Sequence, residues 1–361
     1  MLHLQQISLI QFRNYVRQNF SFTEKVIGIC GLNGSGKTTL LDAIYYLGFT
    51  KSYFTRSDSQ NVHHGLFGLR LQGNFLLNDE PQEVISILRE NNRKEFSVNG
   101  DDYKKFSEHI GKLPCVMIAP DDVALVIGGS EERRKFVDTI ISQIDRNYLQ
   151  DLIDYTKILQ QRNSLLKQAA ESGAINDALL QIINEQLSQK GTAIYQQRTN
   201  FLNVFLVLAL EFYNRIAGKA DGVSITYESD LQNGEMLGLL QLSKQKDMLL
   251  QRTTIGIHKD DLQIKMRDTA FKNDASQGQR KSLLFALKLA EWQILKTKKG
   301  FAPILLLDDV FEKLDEQRMH NLLQWVCTND VGQVFITDTH SARLQQQLTA
   351  INVSFQLIEL N

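Results

Sequence analysis

The run Gly31-Leu32-Asn33-Gly34-Ser35-Gly36-Lys37-Thr38-Thr39 matches in full the pattern GxxxxGK followed by Ser or Thr. A strand-like stretch, Val26 to Cys30, precedes it and a helix-like stretch, Leu40 to Leu47, follows, which is the setting the pattern requires. Its glycines let the backbone wrap an anion with N–H groups pointing inward, and the following helix adds its positive N-terminal end. Phosphate binding is therefore expected, with Lys37 reaching the β- and γ-phosphates of a nucleotide and Thr38 placing its hydroxyl on Mg²⁺. Such a loop needs an apolar strand ending in an acid, and Ile304-Leu305-Leu306-Leu307-Asp308-Asp309 supplies one. Asp308 is expected to hold the metal, and Asp309 to orient or deprotonate the attacking water. A third feature, Ala275-Ser276-Gln277-Gly278-Gln279-Arg280-Lys281-Ser282, leads into the helical run Leu283 to Leu295. Taken alone it reads as a capped helix start, whose free N–H groups make an anion site.

These residues need a scaffold. Only four prolines occur, Pro81, Pro114, Pro120 and Pro303, so no ring interrupts the chain between Pro120 and Pro303. From Arg133 to Leu166 the apolar residues Phe136, Val137, Ile140, Ile141, Ile144, Tyr148, Leu149 and Leu152 recur every three or four positions, the period of an amphipathic helix. Ser172-Gly173 punctuates this block, and a second runs from about Ile175 to Arg215 with a break expected near Gly191. Toward the ends, short β-prone runs dominate: Ile7 to Ile10, Val26 to Cys30 and Leu69 to Phe75, then Val223 to Tyr227, Asp261 to Met266, Ile304 to Leu307 and Val334 to Thr337. Asn99-Gly100 is expected to form a hairpin turn. The expected fold is α/β, a phosphate-loop ATPase head built from residues 1–120 and 222–361 with an inserted helical lobe over 121–221.

With 361 residues the chain is long for one domain. Apolar residues at 43% and charged residues at 22% exclude a mainly disordered or collagen-like chain. The 40 Lys and Arg against 41 Asp and Glu leave attraction to a polyanion to local patches. One such patch is Lys51 and Arg56 with Tyr53 and Phe54 between them; another is Arg133-Arg134-Lys135. Three scattered cysteines, Cys30, Cys115 and Cys327, suit neither a disulfide framework nor zinc-ligand spacing and fit a reducing cytosol. The most apolar stretch, Phe201 to Leu210, is about half the roughly 20 residues a membrane span needs, so neither export nor membrane insertion is expected.

Together the phosphate loop, the acidic strand and Ser276 to Gln279 resemble the ATP-binding-cassette superfamily, with Leu314-Asp315 similar to its D-loop. Within that superfamily, Leu9-Ile10-Gln11-Phe12-Arg13-Asn14-Tyr15, Leu40-Leu41-Asp42-Ala43-Ile44-Tyr45, Ala119-Pro120-Asp121-Asp122, Arg133 to Asp138 and Gly256-Ile257-His258-Lys259-Asp260-Asp261-Leu262 resemble the RecF family of bacterial recombinational repair. The short insert favours this family over chromosome-organising ATPases with long coiled coils. Asp309 stands where ATP-binding cassettes usually carry Glu, and the switch histidine of transporters would fall near Thr337-Asp338, with His340 displaced.

The resemblance implies ATP and Mg²⁺ as cofactors, with Gly31 to Thr39, Ser276, Gln277, Gly278 and Asp315 holding nucleotide. It assigns Thr38 and Asp308 to the metal, and Lys37 and Asp309 to catalysis. It further implies an ATP-dependent head-to-tail homodimer, in which Ser276 of one copy caps ATP held by the other, and slow ATP hydrolysis that times release. The implied partners are single- and double-stranded DNA and their junctions, contacted by Lys51, Arg56, Arg133 and Arg134, together with the mediator proteins RecR and RecO, in the cytoplasm. Two rivals stand beside it: the ATPase subunit of a membrane transporter, and a scaffold that binds ATP and DNA without turnover.

Overall fold

The computed structural model describes residues 1–218, 221–309, 316–328 and 332–360. The chain divides into two compact units, one of residues 1–123, 212–219 and 276–361, the other of residues 124–211 and 220–275. Residues 222–275, expected with the terminal parts, thus pack with the helical insert. The reason is local, because Val223–Glu228 and Asp261–Met266 pair antiparallel with each other, joined by Thr269–Ala270 in a small sheet of their own.

In the first unit, a parallel sheet has the order Phe355–Leu360, Val26–Gly31, Val334–Asp338, Ile304–Leu307, Cys115–Ile118. Its strands Ile304–Leu307 and Val334–Asp338 are buried throughout, as the runs Ile304-Leu305-Leu306-Leu307 and Val334-Phe335-Ile336 require. A second, antiparallel sheet runs Tyr15–Ser21, Leu2–Phe12, Leu69–Leu77, Glu80–Leu88, Lys94–Val98, Asp101–Asp102. Asn99-Gly100 closes its last hairpin with φ of 52° and 86°, the positive pair of a two-residue turn. Helix Lys37–Phe49 is apolar on nearly every side and is buried along almost its whole length between the sheets, packing on strands of both. Leu4, Leu9, Phe12, Leu40, Tyr46, Leu71 and Phe335 belong to the one core this creates.

The second unit is mainly helical. The Arg133-to-Leu166 periodicity resolves into helices Ser130–Ile144 and Arg146–Ser172, because Asp145 leaves helical geometry and accepts hydrogen bonds from the N–H groups of Asn147 and Tyr148 as a cap. The following helix, Asp177–Ala217, continues through Gly191 where a break was expected. A Cβ there would lie 2.2 Å from Met236 Sδ and 3.2 Å from Tyr155, so this glycine permits close packing rather than a bend. Two buried arginines knit the unit together. Arg162 bonds Asp247, Asn184 and Thr253, and Arg198 bonds Asp138, Asp260 and the Ile257 carbonyl.

Candidate nucleotide site

Strand order creates the site. The phosphate-loop strand Val26–Gly31 and the acidic strand Ile304–Leu307 are both hydrogen-bonded to Val334–Asp338, which lies between them. Two strand spacings of about 4.8 Å would hold their ends roughly 10 Å apart, and the loop bridges that gap. Gly36 has φ 104°, and a Cβ there would sit 2.5 Å from the Tyr15 hydroxyl, so only glycine fits. The Tyr15 hydroxyl donates to the Gly36 carbonyl at 3.3 Å, and Asn14 Nδ2 to the Gly34 carbonyl at 3.4 Å. Lys37 folds back along the loop, its Nζ donating to the carbonyls of Gly31 and Leu32 at 2.7 and 3.2 Å. A cleft of about 210 Å³ opens here, lined by Asn33, Gly34, Gly36, Lys37, Thr38 and Thr39 of the loop and by Arg13, Asn14 and Asp309.

At the floor, Thr38 Oγ1 donates to the Asp308 carboxylate at 2.9 Å. Thr337 Oγ1 donates to the same carboxylate at 2.8 Å and accepts the Asp309 N–H at 2.8 Å. Burial raises the Asp308 pKa to about 6, reinforced by the charge of Asp309 and opposed by the two threonine hydroxyls and Lys37. A buried carboxylate with a hydroxyl beside it and no ion-pair partner among the described residues fits a hard divalent cation such as Mg²⁺. Among the described residues no group of three or more His, Cys, Asp or Glu could hold a metal.

Ser276 begins the helix Gln277–Lys299 with a reciprocal cap: its Oγ accepts the Gln279 N–H, and the Gln279 side chain accepts the Ser276 N–H. Ser276 and Gln277 are exposed and Gly278 is half-buried. None of the three lines the cleft at the phosphate loop. Asp315 lies outside the described residues.

The RecF/RecN/SMC N terminal domain family matches residues 3–358. The DNA replication and repair protein RecF of Flavobacterium johnsoniae is 40% identical over 99% of this chain and 100% of its own length. This chain belongs to the RecF family. A solved structure titled as the recombination mediator protein RecF-ATPrS in the RecFOR pathway superposes with a TM-score of 0.89 at 30% identity, covering 100% of this chain and 96% of the other. The Smc head domain of Pyrococcus furiosus aligns with a TM-score of 0.57 at 14% identity over 100% of this chain and 94% of its own, which extends the likeness of fold alone.

For a RecF-family chain, the remaining expected contacts fall into two kinds. Lys51 and Arg56 are exposed. The segment between them is fixed from within, Ser52 Oγ donating to Asp42 and accepting from the N–H groups of Phe54 and Thr55 and from Arg13. Tyr53 points inward, donating to Asp122 at 2.5 Å and packing edge-on against Tyr45. Arg133, by contrast, forms a two-pronged pair with Asp261 and bonds the Gly128 carbonyl, its side chain only 11% exposed. Arg134 donates to the Asp260 carbonyl, so in this RecF-family chain both guanidinium groups serve internal bonds of the second unit.

Arg13, Asn14, Tyr15 and Thr337 carry no individual role in the sequence motifs. Arg13 lines the cleft and forms a 2.7 Å ion pair with Asp42, which is fully buried; burial raises the Asp42 pKa and Arg13 lowers it. Its signal in the sequence was a cation at a strand end, distant from the loop it meets. Thr337 had none, since a threonine closing an apolar strand is common. No described helix is long and apolar enough to cross a membrane.

Proposed function

We propose that the chain is an ATP-gated DNA clamp that acts in recombinational DNA repair. Two copies close head to tail around two ATP–Mg²⁺, hold duplex DNA or a duplex–single-strand junction on their joint surface, and release it after slow hydrolysis. In each site Lys37 and the phosphate-loop N–H groups hold the phosphates, Thr38 and Asp308 hold Mg²⁺, and Asp309 positions and deprotonates water. The metal would supply charge neutralisation at the β- and γ-phosphates. Ser276, Gln277 and Gly278 of the other copy cap the γ-phosphate, with Asp315 nearby. Lys51, Arg56, Arg133 and Arg134 meet the DNA backbone, the last two from within their bonds to Asp261 and the Asp260 carbonyl, and RecR and RecO are the partner proteins in the cytoplasm.

One observation carries this reading: the Ser276 helix start is exposed, and none of its first residues lines the cleft where the phosphate loop meets Asp309. An anion site left out of the cleft on its own chain is complete only when a second chain supplies it. The RecF name shared by relatives and the RecF-ATPrS title support ATP, DNA repair and the mediator pathway. The test is light scattering of the protein with ATP and Mg²⁺, with and without duplex DNA. Doubling of mass with ATP supports the clamp, whereas nucleotide-loaded protein that stays single at every concentration overturns it.

A further inference from the structure

The chemistry proposed above needs Asp308 and Asp309, yet their strand ends at Leu307, so something beyond the strand must fix both. Asp309 stands at φ 44°, in the left-handed region that a non-glycine residue keeps only where its surroundings hold it. Thr337 is fully buried at the end of the strand between the loop strand and the acidic strand. A single hydroxyl there serves both acids: its proton goes to Asp308 Oδ1, and its oxygen accepts the N–H of Asp309. A hydroxyl is the smallest group that donates and accepts at once, so neither Val nor Ala reproduces this bridge.

The residue after it adds to the argument. Asp338 is buried and accepts from both the His340 N–H and the Arg343 guanidinium, at 3.0 and 2.5 Å. Beyond Thr337 the strand end is thus anchored to the start of helix Ser341–Ala350, giving the hydroxyl a fixed base.

We infer that Thr337 is a positioning residue of the ATPase site: its hydroxyl sets the backbone turn that aims Asp309 at the attacking water while locking the carboxylate rotamer of Asp308. This rests on the phosphate-loop reading of the site. It acts chiefly on the hydrolytic step: Lys37 and the loop amides, which Thr337 does not touch, grip the triphosphate, and Asp308 keeps its Thr38 hydroxyl partner when the Thr337 hydroxyl is lost.

The test compares Thr337→Val, Thr337→Ala and Thr337→Ser, with Lys37→Ala as a control for the site itself. Turnover at saturating ATP and the affinity for a fluorescent ATP analogue are measured separately. Thr337→Val, which keeps shape but loses the hydroxyl, is expected to lower turnover at least 10-fold with analogue affinity within about 3-fold of wild type. Thr337→Ser is expected to recover most of the rate. Melting temperatures check folding, and if Thr337→Val does not fold, Thr337→Ala and the Thr337→Ser rescue decide. Wild-type turnover in folded Thr337→Val, or a Thr337→Ser variant as slow as Thr337→Ala, overturns the inference. Should Lys37→Ala retain analogue binding and hydrolysis, the site assignment itself fails, an outcome distinct from a Lys37-dependent site that is indifferent to Thr337.

Discussion

On the proposed reading, Asp309 is the residue on which turnover, as distinct from binding, would depend. Asp309→Asn keeps size and backbone geometry but cannot accept a proton, so ATP hydrolysis is expected to fall by about 10²-fold or more while ATP still binds. Phosphate release and nucleotide affinity measured on the same preparation check this. A second residue-scale expectation concerns stability. His109 is fully buried, one ring nitrogen 2.7 Å from the Leu47 carbonyl, and burial lowers its pKa to about 4. The unfolded chain therefore binds the proton first as pH falls. The stability that a neutral His109 secures is complete above pH 6.5 and is lost progressively down to about pH 4, by up to about 3 kcal/mol. Denaturant unfolding of wild type and His109→Gln should show their difference shrinking, or reversing, across that window; a constant gap would count against it.

Helices and strands show how far one sequence can be read. The phosphate loop, the acidic strand and the capped helix were legible because each couples a short rigid spacing to its own chemistry, and the structure sets Thr38 against Asp308 as that spacing demands. The hairpin at Asn99-Gly100 was legible for the same reason, since few residues tolerate both positive φ angles. Gly191 misled because its function is a contact with Met236, far along the chain, which no local pattern encodes. Residues 222–275 misled because β-prone runs do not announce which sheet they join. The strand Phe355–Leu360 went unread: it lies at the edge of its sheet, is half-buried along most of its length, and lacks the apolar run of its buried neighbours. The basic run Arg133-Arg134 also makes internal bonds, Arg133 to the Asp261 carboxylate and Arg134 to the Asp260 carbonyl, which charge pattern alone does not reveal. Between helices Arg146–Ser172 and Lys244–Leu250 the Arg162–Asp247 pair is fully buried. Asp247→Asn would leave that guanidinium without its counter-charge and is expected to cost about 3–5 kcal/mol, readable as a fall in melting temperature.

At the scale of the whole molecule, the proposed clamp has ATP make two surfaces complementary, and loss of its γ-phosphate would remove the bond. Ser276→Arg places a bulky cation at the exposed helix start and is expected to leave nucleotide binding by the single chain intact while abolishing ATP-dependent dimers. Sedimentation with and without ATP distinguishes this from a general loss of folding. With acids and bases nearly balanced, DNA binding by Lys51 and Arg56 is expected to be modest, largely indifferent to sequence and steeply weakened by salt. Reversing both to Glu should reduce DNA affinity at least 10-fold and flatten the salt dependence, with ATP affinity unchanged.

The phosphate-loop strand is flanked by Val334–Asp338 on one side and Phe355–Leu360 on the other, both drawn from the opposite end of the chain. During synthesis residues 26–31 leave the ribosome about 300 residues before either neighbour exists. A ribosome-bound chain shorter than about 330 residues therefore lacks both partners of this apolar strand, and is expected to grip nucleotide only once both have emerged. Nascent chains arrested at residue 300 should accordingly recruit chaperones and fail to retain an ATP analogue, while arrest after residue 361 with a spacer clearing the exit tunnel should restore retention.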